Sequence, residues 1–536
     1  MIERDLLVTG RVFQLRDARL LQTYAHTLIQ IFLIRLTYLL KAGLFTMLVM
    51  GMTSFCSCKK EKKQVTGTVQ PVSVPVVTDN RLQVDVDFSR THEGVSLKKD
   101  LLGTYCPQKW VNAGKIYDQV NVLAPLGVKF HKLNLPNGTN ISADGTWNDI
   151  TDAGQPSQKT IVNNLIAAGV GIHLGMESVP RAMRGDAEKV QRLHGTSFEK
   201  VRSYVGGNVD IFYQILNEPE LDSSIEWGYY PNFELFWTDF VNAYIGLANK
   251  RLTDANLKIG APGFELDRWL AMFMDRLTNP ATNKVQLSDG KMHGINLDFL
   301  AYHNYLNWSD NAIAQSSTQT AVDKMNRFYN GTAAYRSLQP NVKLFCTEYS
   351  WLKSPYSSVN DLANNSYRHC ARTLELTKLA LEQLTKTDRF YWAQSMGQSA
   401  SFGDDFFTLE NYDWDSKNYK YRSGFYAFWI YNKMPVNRNM VTYDLAKINS
   451  FVASENGRYN VVVWNKTATS QTIKLSFKGL NTASLKYDLY AINSKSFSYG
   501  RNNGKLPSIT QTGMVAELGE VILEPEATIY VEMSLR

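Results

Sequence analysis

The chain of 536 residues is 44% apolar, 12% aromatic and 20% charged, a composition that indicates a globular protein and excludes a disordered one. Its formal net charge of +7 is concentrated at the N-terminus, because residues 1–63 hold ten basic and four acidic residues and the rest holds 47 basic and 46 acidic residues. A nearly neutral body lacks the basic surface that nucleic acid requires, so we expect no nucleic-acid partner.

The N-terminal region resembles a bacterial export signal. An apolar run at 42–55 is too short to span a bilayer but matches the apolar core of a secretory signal. Cys58 follows this run and the small residue Ser57, so Cys58 is the predicted lipidation site of a lipoprotein. The alternative is an anchor helix that reaches back through 29–40, which Arg35 would interrupt.

These features predict an exported bacterial lipoprotein in the periplasm, in the outer membrane or on the cell surface. Residues 1–58 form the predicted signal region, and residues 59–80 form a tether that is rich first in Lys and then in Val, Pro and Thr. We expect contact with the membrane only through the lipid anchor. The five cysteines form no zinc or disulfide pattern, and Cys106 and Cys346 are predicted to be apolar strand residues.

Residues 98–435 alternate short apolar runs with longer helical patterns and predict a (β/α)8 TIM barrel. The strands are apolar on both faces, as in a parallel sheet that helices cover. No GxGxxG or Walker loop follows a strand, which disfavours a doubly wound sheet. The predicted strands are 101–106, 128–133, 170–176, 209–216, 257–262, 297–303, 342–347 and 389–394. The predicted helices include 157–168, 231–252, 266–278, 319–330 and 359–386, with Ser157, Asn232 and Thr318 as N-caps.

A second domain is predicted at 436–536, where apolar and polar residues alternate between turns. This pattern predicts an antiparallel β-sandwich. The alternating segment at 82–88 predicts one more strand, and we expect 81–97 to join the sandwich from the other end of the chain. The predicted sandwich strands are 441–448, 459–466, 470–477, 485–492 and 527–534.

Candidate catalytic residues follow two strands of the predicted barrel, at the end of the strands where chemistry occurs in this fold. Strand four leads into Asn217-Glu218-Pro219, and strand seven leads into Thr347-Glu348. Two carboxyl groups across a barrel mouth, one protonated and one facing an anomeric carbon, are what glycosidic hydrolysis requires. Each glutamate alone could be a structural acid, but the pair at these two strand ends favours catalysis.

Other side chains at strand ends are weaker candidates for contacts. His303 and Tyr305 lie two apart and share one face of strand six, where they could orient Glu348 or form an ordinary core pair. Trp392 on strand eight is either a platform for a sugar ring or a filler of the barrel core. Glu177, Glu265 and Asn134 also follow strands, but their residue types alone do not make them contacts.

These motifs resemble the clan A glycoside hydrolases. Asn217-Glu218-Pro219, His303-x-Tyr305 and the segments 258–264 and 347–351 are most similar to the β-xylosidase/α-L-iduronidase family. Strand two has His131-Lys132 where many members of the clan have an arginine.

The resemblance implies a retaining glycosidase that cleaves β-type bonds in plant or algal glycans, with β-xylosides as the first expected substrates. Glu218 would be the general acid and base, Glu348 the nucleophile, and Asn217 a contact to the sugar 2-hydroxyl. His303, Tyr305 and Trp392 complete the predicted substrate-binding set. The expected partner is an oligo- or polysaccharide, and no metal or organic cofactor is implied.

Two alternatives stay open. One is an endo-acting glycanase of the same clan, acting on xylan or an algal galactan. The other is a non-catalytic, surface glycan-binding lipoprotein, which would need no pair of acid and nucleophile. A retaining enzyme predicts carboxyl groups about 5–5.5 Å apart, whereas an inverting enzyme predicts about 6.5–9.5 Å.

Overall fold

The chain forms a closed barrel and a second large sheet in the computed structural model. The predicted signal region 1–58, the tether 59–80 and Cys58 lie outside the described residues. None of the helices that are described has both the length and the apolar composition needed to cross a bilayer. The structure describes residues 81–94, 96–106, 126–135, 141–148, 157–176, 178–221, 230–307, 313, 315–352, 367–393, 423–497 and 506–535.

Strands and helices alternate through the barrel, and the described residues after it form strands with two short 3-10 helices, Thr482–Ser484 and Val515–Glu517. The strands are β1 (Arg81–Thr91), β2 (Leu102–Cys106), β3 (Phe130–Leu135), β4 (Gly171–Met176), β5 (Ile211–Gln214), β6 (Leu257–Phe264), β7 (Lys284–Gln286), β8 (Met292–Gly294), β9 (Phe299–Asn307), β10 (Lys343–Leu352), β11 (Arg389–Trp392), β12 (Asn437–Thr442), β13 (Ile448–Glu455), β14 (Arg458–Asn465), β15 (Gln471–Lys478), β16 (Leu485–Ile492), β17 (Gln511–Met514), β18 (Val521–Leu523) and β19 (Thr528–Leu535). The α-helices are α1 (Gln158–Ala167), α2 (Ala187–Val205), α3 (Phe233–Arg251), α4 (Leu270–Thr278), α5 (Gln315–Gly331), α6 (Ala333–Leu338), α7 (Arg368–Glu382) and α8 (Ser423–Lys433).

The predicted TIM barrel is confirmed. Its eight parallel strands are β2, β3, β4, β5, β6, β9, β10 and β11, neighbours around the barrel in chain order, with β11 closing onto β2. All eight overlap the predicted strands, because a strand buried on both faces needs a continuous apolar run. β9 and β10 extend four or five residues beyond the predicted ends, which carries their polar residues into the barrel mouth.

Aromatic side chains fill the interior below the mouth. Phe299 and Phe345 stack with ring centroids 4.7 Å apart, and Phe212 packs against both. The guanidinium of Arg389 lies 3.4 Å from the ring centroid of Phe130 at the N-terminal end of the strands. A filled interior leaves the C-terminal ends of the strands as the place for a site.

The second sheet confirms the sandwich-like domain at the C-terminus. Its order is β17-β16-β19-β14-β13-β12-β1-β15-β18. Val84 of β1 and Ile473 of β15 share one apolar core with Val463 of β14 and Val531 of β19. Because these strands come from the two halves of the sheet order, the sheet folds over on itself and encloses its own core.

One pairing in this sheet differs from the antiparallel prediction. β1 pairs antiparallel with β12 but parallel with β15, in a register that runs from Arg81 opposite Thr472 to Asp87 opposite Lys478. The strand at 81–91 arrives from the other end of the chain, so its direction is not set by a hairpin turn.

Local boundaries show two further errors in the sequence prediction. The predicted strand 441–448 is wrong, because residues 443–447 form the connection between β12 and β13. The predicted N-cap Thr318 is also wrong, because α5 begins at Gln315. The N-caps Ser157 and Asn232 are confirmed: Ser157 Oγ accepts from the Thr160 N–H (3.2 Å), and Asn232 Oδ1 accepts from the Leu235 N–H (2.9 Å).

Buried charges join the barrel to the sandwich. Arg372 of α7 donates from Nε and Nη2 to the two carboxylate oxygens of Glu526, at 2.6 and 2.8 Å, and both side chains are at most 1% exposed. Glu375, one turn further along α7, accepts from Trp464 Nε1 and Asn449 Nδ2, each at 2.8 Å. These contacts attach the helical layer directly to the sandwich sheet.

Candidate active site

The backbone that presents Glu218 is strained. Leu216 and Glu218 have φ angles of 62° and 44°, in the left-handed region that residues with a β-carbon rarely occupy. The Glu218 N–H donates to the Gly263 carbonyl (2.9 Å), and Gln214 Nε2 donates to the Leu216 carbonyl (3.1 Å). Strain of this kind persists where surrounding contacts determine the geometry, and it is frequent at functional sites.

Gly263 on the neighbouring strand makes room for this arrangement. A β-carbon at that position would lie 2.4 Å from His303 Nε2 and 2.9 Å from Gln214 Nε2. The face of β6 that carries Gly263 therefore points into the site.

Glu218 has the environment of a protonated acid. Its side chain is only 17% exposed, and burial raises its pKa to about 7, while the charges of Lys132 and Lys324 pull the pKa back down. His303 Nδ1 and Glu218 Oε1 form a hydrogen bond of 2.8 Å. Burial also lowers the pKa of His303 to about 3, so the imidazole is neutral at neutral pH and supplies no positive charge to Glu218.

Glu348 lies opposite Glu218 in a different environment. Lys132 Nζ donates to Glu348 Oε1 (2.9 Å), and the Tyr305 hydroxyl donates to Glu348 Oε2. Both oxygens therefore accept hydrogen bonds, and one of the two donors is a buried cation. His303 Nε2 lies 3.5 Å from Glu348 Oε1, so the imidazole stands between the two glutamates.

Asn217 connects the two halves of the site. Its Oδ1 accepts from Lys132 Nζ (3.1 Å) and from Gln214 Nε2 (3.2 Å). Lys132 is fully buried and lies 4.4 Å from the ring centroid of Tyr105. The lysine on strand two therefore fixes Asn217 and Glu348 at once.

Two more carboxyl groups surround Glu218. Glu220 accepts at Oε1 from the Leu266 N–H (2.6 Å), and Glu265 accepts at Oε1 from Lys324 Nζ (3.0 Å). Burial raises the pKa of Glu220 to about 8 and that of Glu265 to about 7. The described mouth thus holds four carboxyl groups and the lysines Lys132 and Lys324. The charges balance when Glu218 and Glu220 are protonated.

Glu218, His303 and Glu348 are close enough to one another to be considered as ligands of a metal ion. One ligand atom from each lies within 4.8 Å of the other two. Lys132 already donates to the same oxygen of Glu348 that faces His303, and its ammonium would repel a divalent cation. The donor set is therefore better suited to handling protons than to binding a metal.

The structure brings most of the predicted site residues together. The C-terminal ends of β5, β9 and β10, the fourth, sixth and seventh barrel strands, bring together Asn217, Glu218, His303, Tyr305 and Glu348. Their predicted roles stay predictions, because placement alone does not establish a role.

Trp392 is buried among aromatic side chains. It is 2% exposed and packs edge-on against Tyr349 and Phe428, at centroid distances of 6.4 and 5.8 Å. Its role as a sugar platform stays a prediction.

The sequence prediction missed Lys132, Gln214 and Lys324. For Lys132 a signal was present, because a lysine within an apolar barrel strand must find a buried carboxylate. Lys324 lies on a helix, and Gln214 reads as an ordinary strand residue, so neither had a signal of its own.

Comparisons with known proteins place the fold among glycosidases. No protein-family model and no curated protein matches the chain. The chain is similar in structure to a monomeric β-xylosidase from Caulobacter crescentus CB15 (13% identity, TM-score 0.55), covering 84% of this chain and 99% of that one.

It is also similar to a bacterial orthologue of human α-L-iduronidase (12% identity, TM-score 0.59), over 85% of this chain and 84% of that one. An α-L-arabinofuranosidase from Thermotoga maritima matches with 14% identity and a TM-score of 0.55, over 85% and 100% of the two chains. The neighbours are clan A glycoside hydrolases. The barrel with its appended sheet is their fold.

Proposed function

We propose that the protein is a retaining glycosidase with Glu218 as general acid and base and Glu348 as nucleophile. The observation that carries the proposal is the pair itself: an oxygen of each carboxyl group lies within 4.8 Å of the other, and the two groups have opposite environments. This proximity supports a retaining enzyme, whose carboxyl groups lie about 5–5.5 Å apart, over an inverting enzyme, which needs about 6.5–9.5 Å.

In the first step Glu348 attacks the anomeric carbon. A carboxylate oxygen of Glu348 forms a bond to that carbon, the bond from carbon to the glycosidic oxygen breaks, and Glu218 gives its proton to the leaving oxygen. The pKa of about 7 keeps Glu218 about half protonated at neutral pH and largely protonated below it. Lys132 and Tyr305 hold Glu348 in place for the attack.

In the second step the roles of Glu218 reverse. The glycosyl ester on Glu348 carries no charge, so the ionised Glu218 no longer faces a second carboxylate. Glu218 takes a proton from water, the water oxygen bonds to the anomeric carbon, and the ester bond to Glu348 breaks. The product keeps its configuration, and both glutamates return to their starting protonation states.

For the substrate we propose oligo- or polysaccharides of plant or algal origin with β-type bonds, β-xylosides first. The similarity to a β-xylosidase supports this choice, together with the position of Asn217 beside both glutamates, where its amide could contact a sugar 2-hydroxyl.

A panel of nitrophenyl glycosides and polysaccharides, with the products sized and their configuration determined, tests the proposal. Retained configuration is the expected result. Hydrolysis with inversion would contradict the mechanism. Binding of a glycan with no cleavage would favour the non-catalytic glycan-binding alternative, and release of long internal fragments would favour the endo-acting one.

Two variants separate the roles of the glutamates. Glu348→Ala should lower kcat by roughly 10⁴-fold or more and form no covalent intermediate. Glu218→Ala should accumulate the glycosyl-enzyme on an activated aryl glycoside, and added azide should restore turnover to a product of retained configuration. An azide product of inverted configuration from Glu218→Ala would assign the nucleophile to Glu218 instead.

We also propose that the protein is anchored through an acylated Cys58. Cys58→Ala should then release the protein from membranes while hydrolysis continues, because acyl chains contribute about 0.8 kcal/mol per buried CH2. Retention of this variant on membranes after alkaline washing would support a spanning helix instead.

A further inference from the structure

A second ion pair lies at the barrel mouth beside Glu218. Glu265 follows the last residue of β6, and its Oε1 accepts from Lys324 Nζ of α5 at 3.0 Å. The two side chains are 21% and 14% exposed, so the pair is partly enclosed and still reachable from the mouth. The mechanism above does not use it.

The backbone places Glu265 on the side of the acid. The Glu218 N–H bonds to the carbonyl of Gly263, and the Cα–Cβ direction of Gly263 points at His303 Nε2, into the site. Glu265 lies two residues further on, where a strand presents the same face again. β6 is the fifth barrel strand and neighbours β5, the fourth, which leads into Glu218. Glu348 lies on β10, the seventh barrel strand.

This side of the site belongs to the leaving group, because Glu218 must reach the glycosidic oxygen to protonate it. Polar atoms there have bonding capacity left. Glu265 Oε2 and Glu220 Oε2 are buried and have no hydrogen-bond partner among the described residues, and Glu220 is fully buried. The Lys324 ammonium has three N–H donors, one of which bonds to Glu265.

We infer that Glu265 and Lys324 form a subsite for the hydroxyl groups of a leaving-group sugar. Glu265 would accept from one hydroxyl and Lys324 would donate to its neighbour, which matches a sugar that presents adjacent hydroxyls. Such a subsite binds a saccharide leaving group through hydrogen bonds, which an apolar leaving group cannot form. The inference rests on the proposed function and adds the leaving-group class to it.

The experiment compares two substrates that share one glycone and whose leaving groups both need the proton of Glu218, methyl β-xyloside and β-1,4-xylobiose. Glu265→Gln and Lys324→Met should each lower the ratio of kcat/KM for xylobiose to kcat/KM for the methyl glycoside by roughly tenfold to a hundredfold, the usual loss for a charged hydrogen-bond partner. Glu265→Gln preserves the shape of the side chain, and its melting temperature checks the fold.

The neighbouring pair of Arg327 and Asp267 provides a matched control. It joins the same two segments at 2.8 Å, but its side chains are 59% and 37% exposed. Arg327→Met and Asp267→Asn should leave the substrate ratio within about twofold of wild type.

The outcomes separate the inference from the proposed function. An equal loss on both substrates would overturn the subsite and leave the pair as support for Glu218, and an unchanged ratio would also overturn it. If the wild-type protein cleaves neither these substrates nor any other glycoside of the panel, the proposed function itself fails. A changed ratio in the variants of Arg327 and Asp267 would show that the loop as a whole, and no specific pair, sets the preference.

Discussion

The barrel mouth and the junction between barrel and sandwich both bury charged side chains, but the two regions differ in how these side chains are paired. At the junction Arg372 meets both oxygens of Glu526, and Glu375 accepts from two neutral donors with Lys466 at 3.4 Å. At the mouth carboxyl groups outnumber the described cations, and Glu220 and Glu265 each have one oxygen without a partner.

The difference separates a structural from a reactive use of charge. A buried pair of opposite charges, such as Arg372 and Glu526, holds two surfaces together. Buried carboxyl groups that outnumber the nearby cations are stable only if some of them stay protonated. The barrel mouth therefore holds protonated carboxyl groups beside Glu218. Burial raises the pKa values of Glu218, Glu220 and Glu265, and the neighbouring carboxylates raise those of Glu220 and Glu265 further.

The largest expected effect comes from breaking the junction pair. Glu526→Gln leaves the guanidinium of Arg372 buried without its charge partner and should lower the free energy of unfolding by about 3–5 kcal/mol. Chemical denaturation measures the loss. The double variant Arg372→Met/Glu526→Gln should recover most of it, because it leaves no uncompensated charge. A full loss in the double variant would mean that packing, and not charge matching, dominates the junction.

A smaller and pH-dependent effect is expected at the mouth. Folded Glu220 keeps its proton up to about pH 8, whereas an ordinary glutamate loses it near pH 4.5. Unfolding therefore releases a proton between these values, and the stability of the wild type falls as the pH rises. Glu220→Gln cannot ionise, so it should gain roughly 2–4 kcal/mol relative to wild type between pH 5 and 8.

Denaturant unfolding at the two pH values measures this gain. Glu199→Gln, at a side chain 53% exposed on α2, is the matched control and should stay within about 0.5 kcal/mol of wild type at both. A gain for Glu220→Gln that does not depend on pH would contradict the protonated state of Glu220.

A third variant tests the packing of the mouth. Gly263→Ala would place a methyl group 2.4 Å from His303 Nε2, so His303 must move and stability should fall by about 1–3 kcal/mol, with lower kcat/KM. Gly207→Ala is the control, because nothing lies within 4 Å of its β-carbon. Equal melting temperatures for the two variants would show that the mouth adapts more freely than its contacts suggest.

The smallest effect is a shift in the pH profile. For an unactivated disaccharide, kcat/KM should fall about tenfold per pH unit above a pKa of about 7, where Glu218 loses its proton. The charge of Lys324 lowers the pKa of Glu218, so Lys324→Met should move this alkaline limb to higher pH. Arg327→Met should leave the limb in place, and a shift to lower pH in Lys324→Met would contradict the electrostatic argument.

The barrel could be predicted because burial on both faces forces long apolar runs, and these runs mark its eight strands. The candidate catalytic pair could be predicted because Glu218 and Glu348 follow two of those apolar runs. The segment 441–448 misled the prediction, since its alternation of apolar and polar residues continues through a turn. Thr318 misled the prediction, because Ser316, Ser317 and Thr318 are all residue types that favour N-caps, yet all three lie inside α5.

Features that depend on contacts between distant segments could not be predicted from the sequence. The positive φ angles at Leu216 and Glu218 follow from hydrogen bonds to strand five and leave no mark in residue type. Lys324 reaches the mouth from a helix surface, where lysine is usually a solvated residue. The parallel pairing of β1 with β15 depends on strands about 390 positions apart.

That last pairing has a consequence for the order in which the protein folds. β1 is among the first described segments to be synthesised, yet its partners β12 and β15 come after the whole barrel. Contacts of such long sequence separation form late, because the intervening chain must be ordered first. The apolar side of β1, with Leu82, Val84 and Val86, therefore has no partner strand until β12 and β15 have been synthesised, and we expect the pairing that joins the two ends of the described chain to form late.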